Sequence, residues 1–205
     1  MRCCGPIQAR RALRRNEPIL LDVGCGADKR RGFLGVDLIR HADVWWNIKW
    51  GIPFPDESVS EIRSDHCFEH LDILDVIKTL RECHRVLKPG GKLDFTVPHL
   101  DPYLDAYLRR DTTFLAEKIE DIPAEVSRVL ETPFDRIAWL LHRRGEHRSL
   151  FDKESILHKV RLAGFEEVSV RSFDPMADQL PRFSSVYVVA RKATKGATDA
   201  APCHG

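Results

Sequence analysis

Short apolar runs alternate with longer stretches of helical periodicity along this chain, and the first clear run is Ile19 to Val23 (ILLDV). Its unbroken apolar character predicts a strand buried on both faces, central in a parallel sheet. Upstream, residues 7 to 16 (IQARRALRRN) carry good helix formers and a thin apolar stripe. They predict a short helix ending near Asn16, with Pro18 opening the strand. The strand breaks into Gly24-Cys25-Gly26, and a second run, Phe33 to Asp37, closes on Gly35-Val36-Asp37. Ala27 to Gly32 leave room for barely two helical turns, whereas a parallel crossover normally takes a dozen or more residues. The crossover helix is therefore expected to be vestigial, with the helix near residues 8 to 16 covering the sheet face it leaves bare.

Val44-Trp45-Trp46 predicts a short third strand, and Asn47 then opens the loop IKWGIPFPDES, where two prolines and a glycine argue against regular structure. Val59 to Asp65 reads as a fourth strand. In Leu71 to Leu87, apolar positions Ile73, Ile77, Leu80, Cys83 and Leu87 recur at helical spacing, and Lys88-Pro89-Gly90-Gly91 is expected to end that helix before a fifth strand at Lys92 to Val97. Residues 100 to 146 break the rhythm with several amphipathic helical patterns, punctuated by Pro102, Pro123 and Pro133. The alternation returns with a helix at Lys153 to Ala163 ended by Gly164, then strands at Phe165 to Phe173 and Ser184 to Arg191. The predicted architecture is an α/β doubly wound, mostly parallel seven-stranded sheet of Rossmann-like type with a helical insertion after the fifth strand. Residues 1–192 form one domain, 100–146 are the insertion, and the small, polar tail 193–205 is expected to be disordered. Ligands on such sheets sit outside the carboxyl ends of the strands.

That rule selects the candidate chemistry. Glycines at Gly24 and Gly26 let the backbone reach positive φ and let a ligand approach without a Cβ in the way. An acid at the tip of the next strand, Asp37, can accept hydrogen bonds from both hydroxyls of a ribose. The two together imply a nucleoside-containing cofactor. Composition adds exclusions: 43% apolar and 31% charged residues with a net charge of +1 give no global attraction to nucleic acid or membrane. Arg2, Arg10, Arg11, Arg14 and Arg15 are expected to form a solvated helix face. The six cysteines lack paired metal-ligand spacing, so a reduced, cytoplasmic setting and no metal site are expected. Frayed ends account for Cys3, Cys4, Cys203 and His204 more simply than a zinc site does. Neither a membrane-spanning apolar run nor a signal peptide is evident.

In order, D-V-G-C-G, G-V-D, Asn47 with I-P-F-P-D-E-S, S-D-H-C-F-E-H-L and R-V-L-K-P-G-G resemble the class I S-adenosylmethionine-dependent methyltransferases, in particular the small ones acting on metabolites, sugars or lipids. The resemblance covers about residues 18 to 98. It implies that Asp22, Gly24, Cys25 and Gly26 hold the methionine end of S-adenosylmethionine, that Asp37 and Leu38 take the ribose, and that Asn47 and Ile48 flank the adenine. Asn47 stands where the family commonly has an acid, and an amide accepts that hydrogen bond without charge. Asp65 and His66 are placed beside the sulfonium. An NAD site fits badly, because Lys29 occupies the third glycine position of G-x-G-x-x-G and the acid comes too early.

At most one of the adjacent Trp45 and Trp46 can face the cofactor, because neighbours on a strand point to opposite faces. Glu69-His70 is expected to begin a helix whose dipole Glu69 stabilises, a structural role. General-base candidates are His66, His99, Asp101 and His147, with His99 and His147 first. The insertion is expected to lie over the acceptor pocket, with Arg109, Arg110, Arg143, Arg144 and Arg148 as basic spots. No N-P-P-Y type signature follows the fourth strand, so a small-molecule, saccharide or lipid-linked acceptor, modified at oxygen, is favoured over a nucleobase. A cofactor-binding accessory protein without turnover and an RNA methyltransferase are the alternatives, and nucleic acid is not expected as a partner.

Overall fold

The computed structural model describes residues 5–15, 17–119, 122–142, 145–175, 178 and 184–194. Asn16, Arg2, Arg143, Arg144, Cys3, Cys4, Cys203, His204 and the tail from residue 195 lie outside the described residues. One sheet runs in the order β3-β2-β1-β4-β5-β7-β6. Its strands are β1 (Ile19–Val23), β2 (Leu34–Asp37), β3 (Val44–Trp45), β4 (Val59–Asp65), β5 (Leu87–Pro98), β6 (Glu167–Arg171) and β7 (Ser185–Arg191). β1 to β5 pair in parallel, and β7 runs antiparallel between β5 and β6. This is the Rossmann-like doubly wound sheet. Strand order reverses between β1 and β4, which puts a crevice at the carboxyl ends of those strands.

The apolar runs become the core. Leu21, Val23, Val36, Ile62, Leu93, Val97 and Val188 are wholly or nearly wholly buried along the strands, and helices α2 (Ile73–Val86) and α7 (Lys153–Leu162) add Val76, Leu80, Cys83, Ile156 and Val160. Between β1 and β2 the chain forms only turns, with no helix. Side chains do the helix's work there. Asp22 Oδ2 accepts a hydrogen bond from Arg30 N at 2.8 Å, and Lys29 crosses Gly35 to pair with Asp43 at 2.7 Å. The helix α1 (Gly5–Leu13) ends earlier than Asn16 and packs on β3: Ala9 is buried, Gln8 Oε1 accepts from Trp45 N, and a Cβ on Gly5 would come within 2.6 Å of Trp46. Arg10 and Arg11 on this helix and Arg14 and Arg15 just after it are solvent-exposed.

Three local expectations are corrected. Lys88-Pro89-Gly90-Gly91 does not separate helix from strand: α2 stops at Val86 and β5 begins at once, because Leu87 already pairs with Val59. The next pair is Glu61 with Lys92, so the four residues loop out of the ladder as an extended bulge, with Gly90 at φ 76°. In the proline-rich loop, Ile48–Trp50 form a 3-10 turn, because the Asn47 side chain accepts from Lys49 N at 3.0 Å and caps it. Glu69 and His70 belong to a separate 3-10 turn, Phe68–His70, while Asp72 occupies the cap of α2. Glu69 is thus outside the first turn of α2 and does not serve its dipole.

The described residues between 100 and 146 form α3 (Asp101–Leu108), α4 (Thr112–Lys118), α5 (Ala124–Ser127) and α6 (Pro133–His142); Tyr103, Ala106, Leu115, Ile119 and Ile137 make a small core of their own. Of the basic residues singled out here, Arg109 pairs with Asp105, Arg110 stacks over Tyr107, and Arg148 pairs with Asp72. The chain re-enters the frame through a tied stretch. Arg148 N and Ser149 N both donate to Glu69 O, at 2.8 and 3.1 Å, and Ser149 Oγ donates to Leu71 O at 2.6 Å. No helix among the described residues is long and apolar enough to cross a membrane.

Candidate active site

Over the carboxyl ends of β1, β2 and β4 lies a cleft of two adjoining lobes, of about 390 and 380 Å³, which share Gly24, His66 and His70. Asp37, Leu38, Trp46, Asn47, Ile48 and Lys49 line the first lobe. The second is bounded by Asp22, Gly24 to Asp28, Asp65, His66, Glu69, His70, Glu146 and His147. Every residue expected to hold the cofactor, Asp22, Gly24, Cys25, Gly26, Asp37, Leu38, Asn47, Ile48, Asp65 and His66, faces one lobe or the other.

Local geometry explains the glycines. Gly24 sits at φ +70° and donates its N–H to Val36 O; a Cβ there would fall 2.2 Å from Cys67 Sγ. Gly26, at φ +55°, borders open space and donates its N–H to Asp37 Oδ2 at 2.9 Å. Asp37 also accepts from Leu38 N and Ile39 N, so the tip of β2 and the glycine turn are fastened through one carboxylate. A carboxylate offers about four acceptor sites, which leaves capacity for a ribose hydroxyl. Of the tryptophans, Trp46 alone lines the cleft, with its Nε1–H donating to Gly51 O; Trp45 Nε1–H donates to Leu38 O.

The second lobe is acidic. Asp22, Asp28, Asp65, Glu69 and Glu146 line it, with no lysine or arginine among its described residues. Burial pushes the Asp22 carboxyl above its ordinary range, against the opposing pull of the Arg30 N–H. Burial and the nearby Asp37 raise the Cys25 thiol to about 12, so it stays protonated at neutral pH and is not a nucleophile. Asp65 accepts from Thr96 Oγ1. His66, at φ +49°, is held from both sides: Nε2 shares a 2.8 Å hydrogen bond with Ser185 Oγ, and Nδ1 lies 3.2 Å from Glu69 Oε1.

The structure brings His66 and His147 to the same lobe but leaves His99 outside both, 3.1 Å from Asp101 Oδ2. Sequence reasoning passed over Glu69 and His70 as lining residues.

A glycine turn at β1, an acid at the tip of β2 and an acidic lobe at the end of β4 resemble the cofactor site of class I S-adenosylmethionine-dependent methyltransferases. Comparison with known proteins agrees. A family model described as a methyltransferase domain matches residues 35–95. The chain is 34% identical over 83 residues to the ubiquinone/menaquinone biosynthesis C-methyltransferase UbiE of Vibrio campbellii, covering 36% of this chain and 31% of that protein. It is 51% identical over 45 residues to malonyl-[acyl-carrier protein] O-methyltransferase 1 of Coxiella burnetii, covering 22% of this chain and 15% of that one. The chain thus matches less than a third of the length of either curated relative. A SAM-dependent methyltransferase structure from Methanosarcina mazei shares the fold, with a TM-score of 0.56 at 17% identity over 87% of this chain and 94% of that one. Residues 35–95 thus match a methyltransferase domain, and the sheet shares the fold of S-adenosylmethionine-dependent methyltransferase structures.

The cleft fits that cofactor. The absent Cβ atoms at Gly24 and Gly26 leave room for a close approach, Asp37 faces the first lobe with acceptor capacity to spare, and the acidic lobe, without lysine or arginine among its described residues, is compatible with an ammonium and a sulfonium.

Proposed function

We propose that this chain transfers a methyl group from S-adenosylmethionine to a hydroxyl oxygen of a small-molecule, saccharide or lipid-linked acceptor. The observation that carries the reading is the joining of a ribose-ready lobe at Asp37 to an acidic lobe in which imidazoles stand beside a buried carboxylate. Bound S-adenosylmethionine supplies a methyl already activated on sulfur, so the protein's task reduces to alignment and removal of the acceptor's proton. Asp37 and Leu38 hold the ribose, with Asn47 and Ile48 at the base. The Asn47 carbonyl oxygen accepts from Lys49 N and keeps a second lone pair for the adenine amino group. Asp22, Gly24, Cys25 and Gly26 receive the methionine end, and Asp65 and His66 provide a polar wall for the cation.

His147 is the first candidate for the base, on the loop tied to Glu69. His66 is a positioned neighbour, with Nε2 hydrogen-bonded to Ser185 Oγ and Nδ1 3.2 Å from Glu69 Oε1. His99 serves only an acceptor that enters beside β5. The helical insertion forms the lid over the acceptor, delivering Glu146 and His147 at its end. Of the two curated relatives, one is a C- and one an O-methyltransferase by name. The preference for oxygen therefore rests on the imidazoles and on Ser64-Asp65-His66-Cys67 standing where an N-P-P-Y type signature would be. Incubation with methyl-labelled S-adenosylmethionine and fractionated cell extract is expected to label a low-molecular-weight, glycan or lipid fraction through a methyl ether or ester. Label on nucleic acid contradicts the reading, and cofactor binding with no labelled product in any fraction favours an accessory protein.

A further inference from the structure

Glu69 is 1% exposed, and neither of its carboxylate oxygens makes a hydrogen bond. His66 Nδ1 approaches one oxygen at 3.2 Å, outside hydrogen-bonding geometry. A buried carboxylate left unpaired is costly, and a cation in contact with it removes the cost. Two imidazoles stand where such a cation would need them: one donor atom each from Glu69, His70 and His147 all lie within 4.8 Å of one another.

We propose that Glu69, His70 and His147 form a binding site for a first-row divalent metal ion at the acceptor end of the cleft. Three features support it beyond proximity. His70 Nδ1–H donates to Glu146 O at 3.0 Å, which fixes the tautomer and presents Nε2 with its lone pair as the coordinating atom. A backbone carbonyl on the far nitrogen is the usual outer support of a metal-bound histidine. The loop carrying His147 is anchored to Glu69 itself, since Arg148 N and Ser149 N both donate to Glu69 O, so two of the three ligands are spaced by the backbone. The lobe has acids around it and, among its described residues, no lysine or arginine to compete.

Metal–nitrogen and metal–oxygen bonds to such ligands run about 2.0–2.2 Å. Closing the triad onto one ion therefore takes small movements of His70, which is exposed, and His147, which is half-buried. Two imidazoles and one carboxylate suit Mn²⁺, Fe²⁺, Co²⁺, Ni²⁺ or Zn²⁺ rather than Mg²⁺ or Ca²⁺. Three protein ligands leave coordination positions open toward the lobe; with an ion bound, His147 is a ligand rather than the base, and the ion would acidify a coordinated hydroxyl in its place. The open positions would take one or two oxygens of the acceptor, which selects a hydroxyl with a second oxygen nearby, such as a vicinal diol. That last point rests on the proposed methyl transfer; the metal site itself does not.

The test uses Co²⁺ without cofactor, so its failure leaves the S-adenosylmethionine reading untouched. Chelator-treated protein titrated with Co²⁺ is expected to develop visible d–d absorption saturating at one ion per chain. His70→Ala and His147→Ala should each weaken binding at least tenfold, while His158→Ala, on an exposed face of α7, leaves it unchanged. A measurement on the wild type covers the event that a variant fails to fold: Zn²⁺ should shift the imidazole nitrogen resonances of His70 and His147 and leave those of His41 and His158 in place. No stoichiometric uptake, equal uptake by the His70 and His147 variants, or shifts at other histidines instead would overturn the site.

Discussion

Gly24→Ala is expected to abolish S-adenosylmethionine binding and to destabilise the fold. The new Cβ would sit 2.2 Å from Cys67 Sγ and 2.6 Å from Cys67 Cβ, so either the glycine turn or the segment after β4 must move. Overpacking of this kind costs about 1–3 kcal/mol, and φ +70° adds about 1–2 kcal/mol for a residue with a side chain. Both segments line both halves of the cleft, and a displacement of an ångström there is enough to lose the cofactor. Calorimetry should show an affinity loss of at least about 100-fold, equal to roughly 2.7 kcal/mol, and thermal denaturation a lowered Tm. Adding Cys67→Gly should recover part of the stability by relieving the clash but not the backbone strain. A Gly24→Ala protein that binds as tightly as the wild type would show that the turn does not form the cofactor's bed.

Asp37→Ala is the second large effect. Its carboxylate accepts from Gly26 N, Leu38 N and Ile39 N, so removal unfastens the glycine turn from the tip of β2 and deletes the ribose acceptor together. Hydrogen bonds to a charged group are worth about 1.5–3 kcal/mol each. An affinity loss of about 100- to 1,000-fold for S-adenosylhomocysteine is expected, with about 1–3 kcal/mol of stability. Asp37→Asn should fall between, since one of its two oxygens becomes a donor facing backbone N–H groups. Affinity within twofold of the wild type in Asp37→Ala would remove the ribose assignment.

The contrast between what was legible and what was not follows the range of the interactions. β1 and β4 have their expected bounds because an apolar run and its stop are local signals. The glycine turn and Asp37 were readable for the same reason, as each needs only a strand end and the residue type there. The loop Lys88 to Gly91 was misassigned because a proline and two glycines mark a break, and only the pairing of Leu87 with Val59 reveals that the break lies inside a strand. Glu69 looked like a helix-capping acid because α2 begins just after it; the 3-10 turn that aims it into the cleft depends on packing of Phe68, which is buried against Phe95. The approach of His147 to His70 was beyond local reading altogether, since a whole helical insertion separates them and backbone hydrogen bonds to Glu69 close the gap.

If the cleft between Asp37 and Asp65 is the bed for S-adenosylmethionine, it should take that cofactor and its demethylated product and reject a dinucleotide. Isothermal titration of the protein with S-adenosylmethionine, S-adenosylhomocysteine and NAD tests it most directly. Saturable 1:1 heat with the first two and none with NAD is the predicted result; heat with NAD alone, or with none of the three, would contradict it.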